Sequence, residues 1–413
     1  MIKRLQGLLQ WLFMRVEALF NAAFGDRLNP LYQLGAITFF LFWVVAASGL
    51  YLYAFFETGV ADAYASVEAL TQRQWFAGGI LRSVHRYASD SMVVTMLLHL
   101  LRHFAFDRFR GFRWFSWVSG VALVWGVYVS GINGYMLPWD RLAQFVIVAS
   151  FEWIDWLPGF GGALMRNFIV PASVNDRFFS LLAFMHIGIP LGVLLLMFIH
   201  VQRVPKARTN PPRPIMASLL LALLVLALVR PVLSQGGAAD LSLAVSQLQL
   251  DWFLLALFPL FYLLPLGQVW ALVAAGTALL AAVPWLPPKF GRARPGEFHM
   301  SIHPAPAITL RSGETLLEAG LRHGLALPYE CRNGGCGVCL CTVLNGSVDH
   351  GLYQRAALPD ALRAQGKALM CCATALSDLE IEVEAGPAGQ RLPVGEHQAR
   401  VERIVSLRQT CMN

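Results

Sequence analysis

Residues 80–103 read ILRSVHRYASDSMVVTMLLHLLRH, and residues 184–200 read FMHIGIPLGVLLLMFIH. Each run is long and apolar and carries two histidines 14 residues apart, His85 with His99 and His186 with His200. Fourteen residues are close to four turns of α-helix, so each pair shares one helix face about 21 Å apart. Ionisable side chains inside such apolar runs are rare and mark function. With both helices running from outside to inside, His85 faces His186 and His99 faces His200. Two facing neutral imidazoles fill both axial positions of a porphyrin iron, an arrangement suited to electron transfer rather than oxygen binding. The expectation is two b-type haems, the outer on His85 and His186 and the inner on His99 and His200. The seven cysteines all lie at or beyond Cys331 and the sequence has no CxxCH, so the haems would be held without thioether links. His103 lies on the same face, but the second run offers no partner at its spacing, and it is left out.

Glycines repeat the interval: Gly35 and Gly49, then Gly120 and Gly134, are also 14 apart. A flat macrocycle between helices needs backbone without a Cβ at its edge, although glycine in membrane helices also serves helix packing. The shared period favours the haem reading. Arg82 and Arg86 flank His85, and Arg102 follows His99. They are candidates to pair with haem propionates, or equally to snorkel toward lipid headgroups.

Composition agrees. The chain of 413 residues is 56% hydrophobic and 14% charged, against about a quarter charged in soluble domains. Apolar stretches at 34–56, 78–101, 114–136, 180–201, 215–229 and 268–286 mostly approach the ~20 residues a spanning helix needs. Residues 251–266, short and broken by Pro259 and Pro265, read as interfacial or re-entrant. The segments 102–113 and 203–213 are rich in Arg and Lys, whereas 57–77 and 231–251 are acidic or nearly neutral. The positive-inside rule puts both termini in the cytoplasm, with six spans. That topology accounts for the net charge of +7 and leaves no case for nucleic acid. No cleavable signal peptide is expected at the N-terminus.

The expected fold is a multi-pass, all-α transmembrane four-helix bundle binding haem, with two further spans, followed by an α+β domain of β-grasp type. Its divisions are an interfacial amphipathic helix at 1–30, the di-haem domain at 31–205, additional spans with the re-entrant segment at 206–290, a soluble domain at 291–388 and a tail at 389–413. In the first helix Leu8, Leu9, Leu12, Val16, Leu19 and Phe20 share a face, as in helices lying in the membrane surface.

LRSVHR (81–86), HLLRH (99–103), GYMLPWD (134–140) and the four histidines resemble cytochrome b of the quinol-oxidising bc and b/f complexes, over residues 31 to about 205. The b/f-type chain is the nearer likeness. The resemblance implies a quinone site, with 150–176 forming outer-side helices around it. The family's PEWY motif stands here as Leu250, Asp251, Trp252 and Phe253. Asp251 and Trp252 are thus the candidate catalytic residues of that site. Arg141 replaces the Gln that usually follows LPW, and both departures weigh against family-type quinol bifurcation.

In the C-terminal part, Cys331, Cys336, Cys339 and a remote Cys371 or Cys372 give C-x4-C-x2-C…C, the spacing that ligates a 2Fe–2S cluster. A Gly-rich ligand loop frees backbone N–H groups to point at cluster sulfurs. Residues 298–386 resemble the β-grasp ferredoxin module of oxygenase reductases, and LMCCATALSDLEIEV (369–383) matches the family pattern that assigns Cys371 as the fourth ligand. Cys341 and Cys411 have no role in this reading.

These residues imply a quinone-linked oxidoreductase, or its electron-transfer subunit, in a bacterial inner membrane. Its cofactors would be two haem b, one 2Fe–2S cluster and quinone, with the ferredoxin domain cytoplasmic. No flavin or nicotinamide domain is recognised, so a separate reductase or other electron-transfer protein is the expected partner. A homodimer and membership of a larger complex both remain open. In this scheme the inner haem is the cluster's partner. A relay subunit without a quinone site, serving a periplasmic cytochrome or a Rieske-type partner, is the alternative.

Overall fold

The computed structural model describes residues 2–110, 113–169, 174–204, 207–245, 247–286, 298–303, 305–311, 313–351, 353–355 and 357–383. The tail at 389–413 with Cys411, and the basic residues Lys206, Lys289, Arg292 and Arg294, lie outside them. The chain divides into two units, Met1–Ala293 and Arg294–Asn413.

In the first unit α1 (Ile2–Phe24), α2 (Leu34–Phe55), α3 (Asp62–Glu68), α4 (Ile80–Ala105), α5 (Trp114–Met136) and α6 (Arg141–Asp155) precede α7 (Asp176–Gln202), α8 (Arg213–Val229), α9 (Phe258–Leu263) and α10 (Leu266–Ala282). Among the described residues four helical segments are long and apolar enough to cross a membrane: α2, α5, α7 and Leu266–Trp285. The helix α4, at 26 residues, has ample length but carries Arg82, Arg86, Asp90 and Arg102. The 17-residue α8 is apolar and slightly shorter than a full span. The segment expected to be re-entrant has no helix at 251–257 and only the six-residue α9 beyond it. Pro259 stands in the first turn of that helix, where its missing N–H is not needed, and Pro265, two residues past Leu263, cannot continue it.

The unit pairs its helices as α2 with α4 and α5 with α7, and α8 and α1 both lean on α4. A buried core of Leu41, Phe42, Met92, Leu123, Val127, Ile147, Phe179 and Leu182 extends to Leu254, Leu255 and Phe258 of the segment before α10. Leu8, Leu12 and Leu19 of α1 point outward, Leu8 being 62% and Leu19 68% exposed. Its inward face carries Phe13 together with Gln6 and Glu17.

The second unit is a five-stranded sheet in the order β2-β1-β7-β3-β5 plus a two-stranded ribbon, β4-β6. The strands are β1 (Phe298–His303), β2 (Ala305–Leu310), β3 (Leu340–Asn345), β4 (Val348–Asp349), β5 (Lys367–Leu369), β6 (Thr374–Ala375) and β7 (Leu379–Val383). β1 runs antiparallel to β2 but parallel to β7, while β3 is antiparallel to both its neighbours. The helix α11 (Leu316–Arg322) opens with a capping box, Thr315 and Glu318 each bonding the other's backbone N–H, which satisfies two donors of its first turn. Its Leu316 and Leu317 pack on Met300, Ile302, Ile308, Met370 and Ile381. A short helix, α12 (Asp360–Ala364), follows β4. The ligand loop hangs between α11 and β3.

Candidate metal centres

Each of the four histidines lies against a glycine of the neighbouring helix. A Cβ on Gly49 of α2 would stand 2.9 Å from Cε1 of His85, and one on Gly134 of α5 would stand 2.8 Å from Cε1 of His186. At the other level the distances are 3.1 Å from Gly35 to His99 and 3.5 Å from Gly120 to His200. The glycine interval thus answers the histidine interval, α2 serving α4 and α5 serving α7. A missing side chain is what lets an imidazole lie on the neighbouring backbone.

Hydrogen bonds orient the rings. Nδ1 of His85 donates to the Val45 carbonyl at 3.0 Å and lies 3.2 Å from Ser48 Oγ. Nδ1 of His186 donates to the Ser130 carbonyl at 3.2 Å. The Ser119 hydroxyl donates to Phe115 O and so accepts from Nδ1 of His200 at 2.9 Å. An Nδ1–H committed in this way leaves Nε2 with the lone pair a metal needs.

The rings of His85 and His186 are 6.2 Å apart between centroids, with planes at 63°. A metal–imidazole bond of about 2.0 Å and about 1 Å from nitrogen to ring centre, taken on both sides, require roughly 6 Å. The pair therefore fits a single iron between them. At the second level the His99 ring lies 4.5 Å from that of His103. The residue set aside for want of a partner sits directly beside a ligand candidate.

The three candidate arginines find partners inside the protein. Arg82 donates to Thr71 and Ser234 and stands 3.5 Å from Glu68. Arg86 bonds Asp90 and Asp251. Arg102 pairs with Glu17 of α1 at 2.7 Å, both nearly buried, between the rings of Tyr32 and Phe106. Asp251 also accepts from the Tyr135 hydroxyl, whereas Trp252 is 76% exposed. The two candidate quinone-site residues share a loop but not an environment.

Arg141 is built into a strap formed by 230–251. Its backbone N–H donates to Gln235 O and Gly237 O, and its Nη1 to Asp240 O. Asp140 caps α6 through Ala143 N and accepts from Gln235 N, and burial raises its pKa above the ordinary carboxylate value. Trp139, in the left-handed region at φ 49°, turns the chain between α5 and α6 and lays its ring on Phe179. This web of contacts joins residues about a hundred positions apart and has no signature in local sequence. Glu17 and Asp90 take part in these contacts although the sequence alone assigns neither of them a role. A carboxylate one helical turn past Arg86 in an apolar run was the available signal for Asp90.

In the second unit the loop from Cys331 to Cys339 bends through left-handed residues Arg332, Gly334 and Gly337. Gly334 N donates to Cys371 Sγ at 3.3 Å and Gly335 N to Cys331 Sγ at 3.4 Å, the amide-to-sulfur pattern expected of a cluster loop. A side chain on Gly334 would meet Cys372 Sγ and Tyr353 at 2.8 Å. Hydrogen bonding to Cys371 holds the Cys331 thiol down to about 4, so it is a thiolate, the metal-binding form, at neutral pH. The same partner lowers Cys339, and Cys371 is raised as the proton-bearing member. Among the described residues no three His, Cys, Asp or Glu side chains converge on a single metal ion. A 2Fe–2S cluster makes no such demand, because each iron takes only two of the four thiolates. Cys371 and Cys372 lie with sulfurs 3.7 Å apart, but only Cys371 receives the loop amide. Cys341 is buried in β3, and burial pushes its thiol up to about 12, an inert core residue.

Residues 20–207 match the family model described as cytochrome b/b6/petB, and residues 304–376 match the 2Fe–2S iron–sulfur cluster binding domain. Cytochrome b6 of Chlamydomonas reinhardtii is 32% identical over 190 residues, covering 45% of this chain and 86% of that protein. A solved hyperthermophilic respiratory complex III superimposes with a TM-score of 0.52 at 17% identity, over 62% of this chain and 75% of that one; this likeness concerns the fold alone. A cytochrome P450 reductase of Amycolatopsis is 40% identical over 22% of this chain, with a TM-score of 0.21, and the match spans about a quarter (26%) of the reductase.

Proposed function

The chain belongs to the cytochrome b/b6 family, and from that premise we propose that it carries electrons between a cytoplasmic 2Fe–2S centre and two b haems, coupled to membrane quinone. This is a membrane electron-transfer protein with a ferredoxin-type 2Fe–2S domain. Haem bound by these residues would supply one-electron chemistry. His85 with His186 would hold the outer haem and His99 with His200 the inner. The observation that carries this reading is the register of four glycines against four imidazoles. Cys331, Cys336, Cys339 and Cys371 would hold the cluster, the Gly334 and Gly335 amides already donating to the Cys371 and Cys331 sulfurs.

The basic segments at 102–113 and 203–213 support cytoplasmic placement of the inner level, of both termini and of the ferredoxin domain, in a bacterial inner membrane. On that topology the inner haem is the one the cluster would serve. The division into an interfacial helix, a di-haem domain, further spans and a ferredoxin domain follows the same argument.

The engagement of Asp251 by Arg86 and Tyr135 favours a second reading, a relay subunit with no quinone site of its own that serves a periplasmic cytochrome or Rieske-type partner. An anaerobic redox titration of the purified chain tests the first reading: two haem transitions and one cluster transition are expected. A single haem transition would refute it. Adding quinol to the oxidised protein separates the readings, since only the quinone-linked form is reduced.

A further inference from the structure

Asp90 and Asp251 lie on either side of one guanidinium. Arg86 grips Asp90, one turn along α4, through Nε at 2.9 and 3.1 Å, and reaches Asp251 through Nη2 at 3.1 Å. The guanidinium also lies over the Tyr135 ring, 4.3 Å from its centroid, and the Tyr135 hydroxyl donates to Asp251. Backbone N–H groups of Phe253 and Leu255 donate to the second Asp251 oxygen at 3.1 and 2.9 Å. Among the described residues the Tyr128 hydroxyl, near Asp251, is buried without a hydrogen-bond partner. The charged and titratable groups facing the two carboxyls are therefore Arg86 from α4 and Tyr128 and Tyr135 from α5. The side chains of Arg86, Asp90 and Asp251 are only 28%, 20% and 10% exposed.

Two carboxylates against one guanidinium leave one negative charge uncompensated, away from water. Such a charge is costly, and like carboxyls around one site bind a proton more tightly than either would alone. We propose that Asp90 and Asp251 form a proton-binding site that holds about one exchangeable proton at neutral pH. Asp251 has the Arg86, Tyr135, Phe253 and Leu255 donors to stabilise its charged form. Among the described residues Asp90 has Arg86 alone, so the proton resides on Asp90. The step is protonation of a carboxylate to a carboxylic acid, and no electron moves. Occupancy of the site does not depend on the function proposed above.

Infrared difference spectra of the full chain, recorded across pH with every redox centre oxidised and no quinone added, test it. A carboxylic-acid carbonyl band that shifts in deuterium oxide and titrates near neutrality is expected. It should be lost in Asp90→Asn and persist with a displaced midpoint in Asp90→Glu. In Asp251→Asn, which leaves one carboxylate per guanidinium, the midpoint should fall by about one pH unit or more. If Asp90→Asn does not fold, the direction of the Asp251→Asn shift decides. A wild-type chain whose carboxyls all titrate in the ordinary acidic range, or a band that survives Asp90→Asn, overturns the proposal. Failure of the quinone reading leaves this band in place, and failure of the proton site leaves the haem and quinol readouts unchanged.

Discussion

The two units position their candidate metal ligands in opposite ways. In the helical unit the four histidines ride on two long helices, α4 and α7, and are spaced by helical rise alone. Each then meets a glycine on a different helix. In the ferredoxin unit three cysteines sit within nine residues of one loop and the fourth arrives from beyond β5. The first design separates its centres, so damage at one level need not reach the other. The second would concentrate all four proposed ligands on one centre, so loss of any one of them would reach the whole centre.

Cys339→Ser should therefore have the largest effect: complete loss of the reduced cluster's rhombic signal, with the haem spectrum untouched. Simultaneous loss of both spectra would collapse the distinction between the units. Next comes His186→Ala, expected to halve the haem content and spare the His99 level. His99→Ala should give the reciprocal result, and a full two-haem complement in that variant would end the pairing. Glu17→Ala strands the nearly buried Arg102 and should destabilise the helical unit by about 3 kcal/mol, read by thermal melting, with the cluster signal unchanged. Smaller still are the glycine substitutions. Gly134→Ala puts a methyl 2.8 Å from His186 and should cost about 1–3 kcal/mol, whereas Gly120→Ala, at 3.5 Å from His200, should be nearly neutral. Equal haem retention in both would mean that the glycines serve only helix packing. Smallest of all, Cys372→Ser should leave the cluster signal intact, because Cys371 is the sulfur that accepts the loop amide.

The same contrast explains what could be read from the chain. The histidine and glycine intervals were legible because a helix converts residue number into height, and the cysteine spacing because a loop keeps its ligands local. The destinations of Arg82, Arg86 and Arg102 were not. Their partners Ser234, Asp251 and Glu17 come from distant segments, and polar pairings of that range leave no periodicity. The apolar stripe of α1 was evident, yet its inward Gln6 and Glu17 were not, since a lipid-facing apolar side reverses the rule that polar residues point away from a core. The short α9 was foreshadowed by its two prolines.

The 14-residue interval carries an electrical consequence. It sets the two histidine levels about 21 Å apart along the helices, which is about two-thirds of a hydrocarbon layer roughly 30 Å thick. An electron passing between those levels would cross that share of the membrane voltage. At about 2.3 kcal/mol per charge per 100 mV, each transfer would be opposed or driven by about 1.6 kcal/mol for every 100 mV, according to its direction. The spacing of two histidines on one helix thus also fixes how strongly an energised membrane can bias the flow of electrons between them.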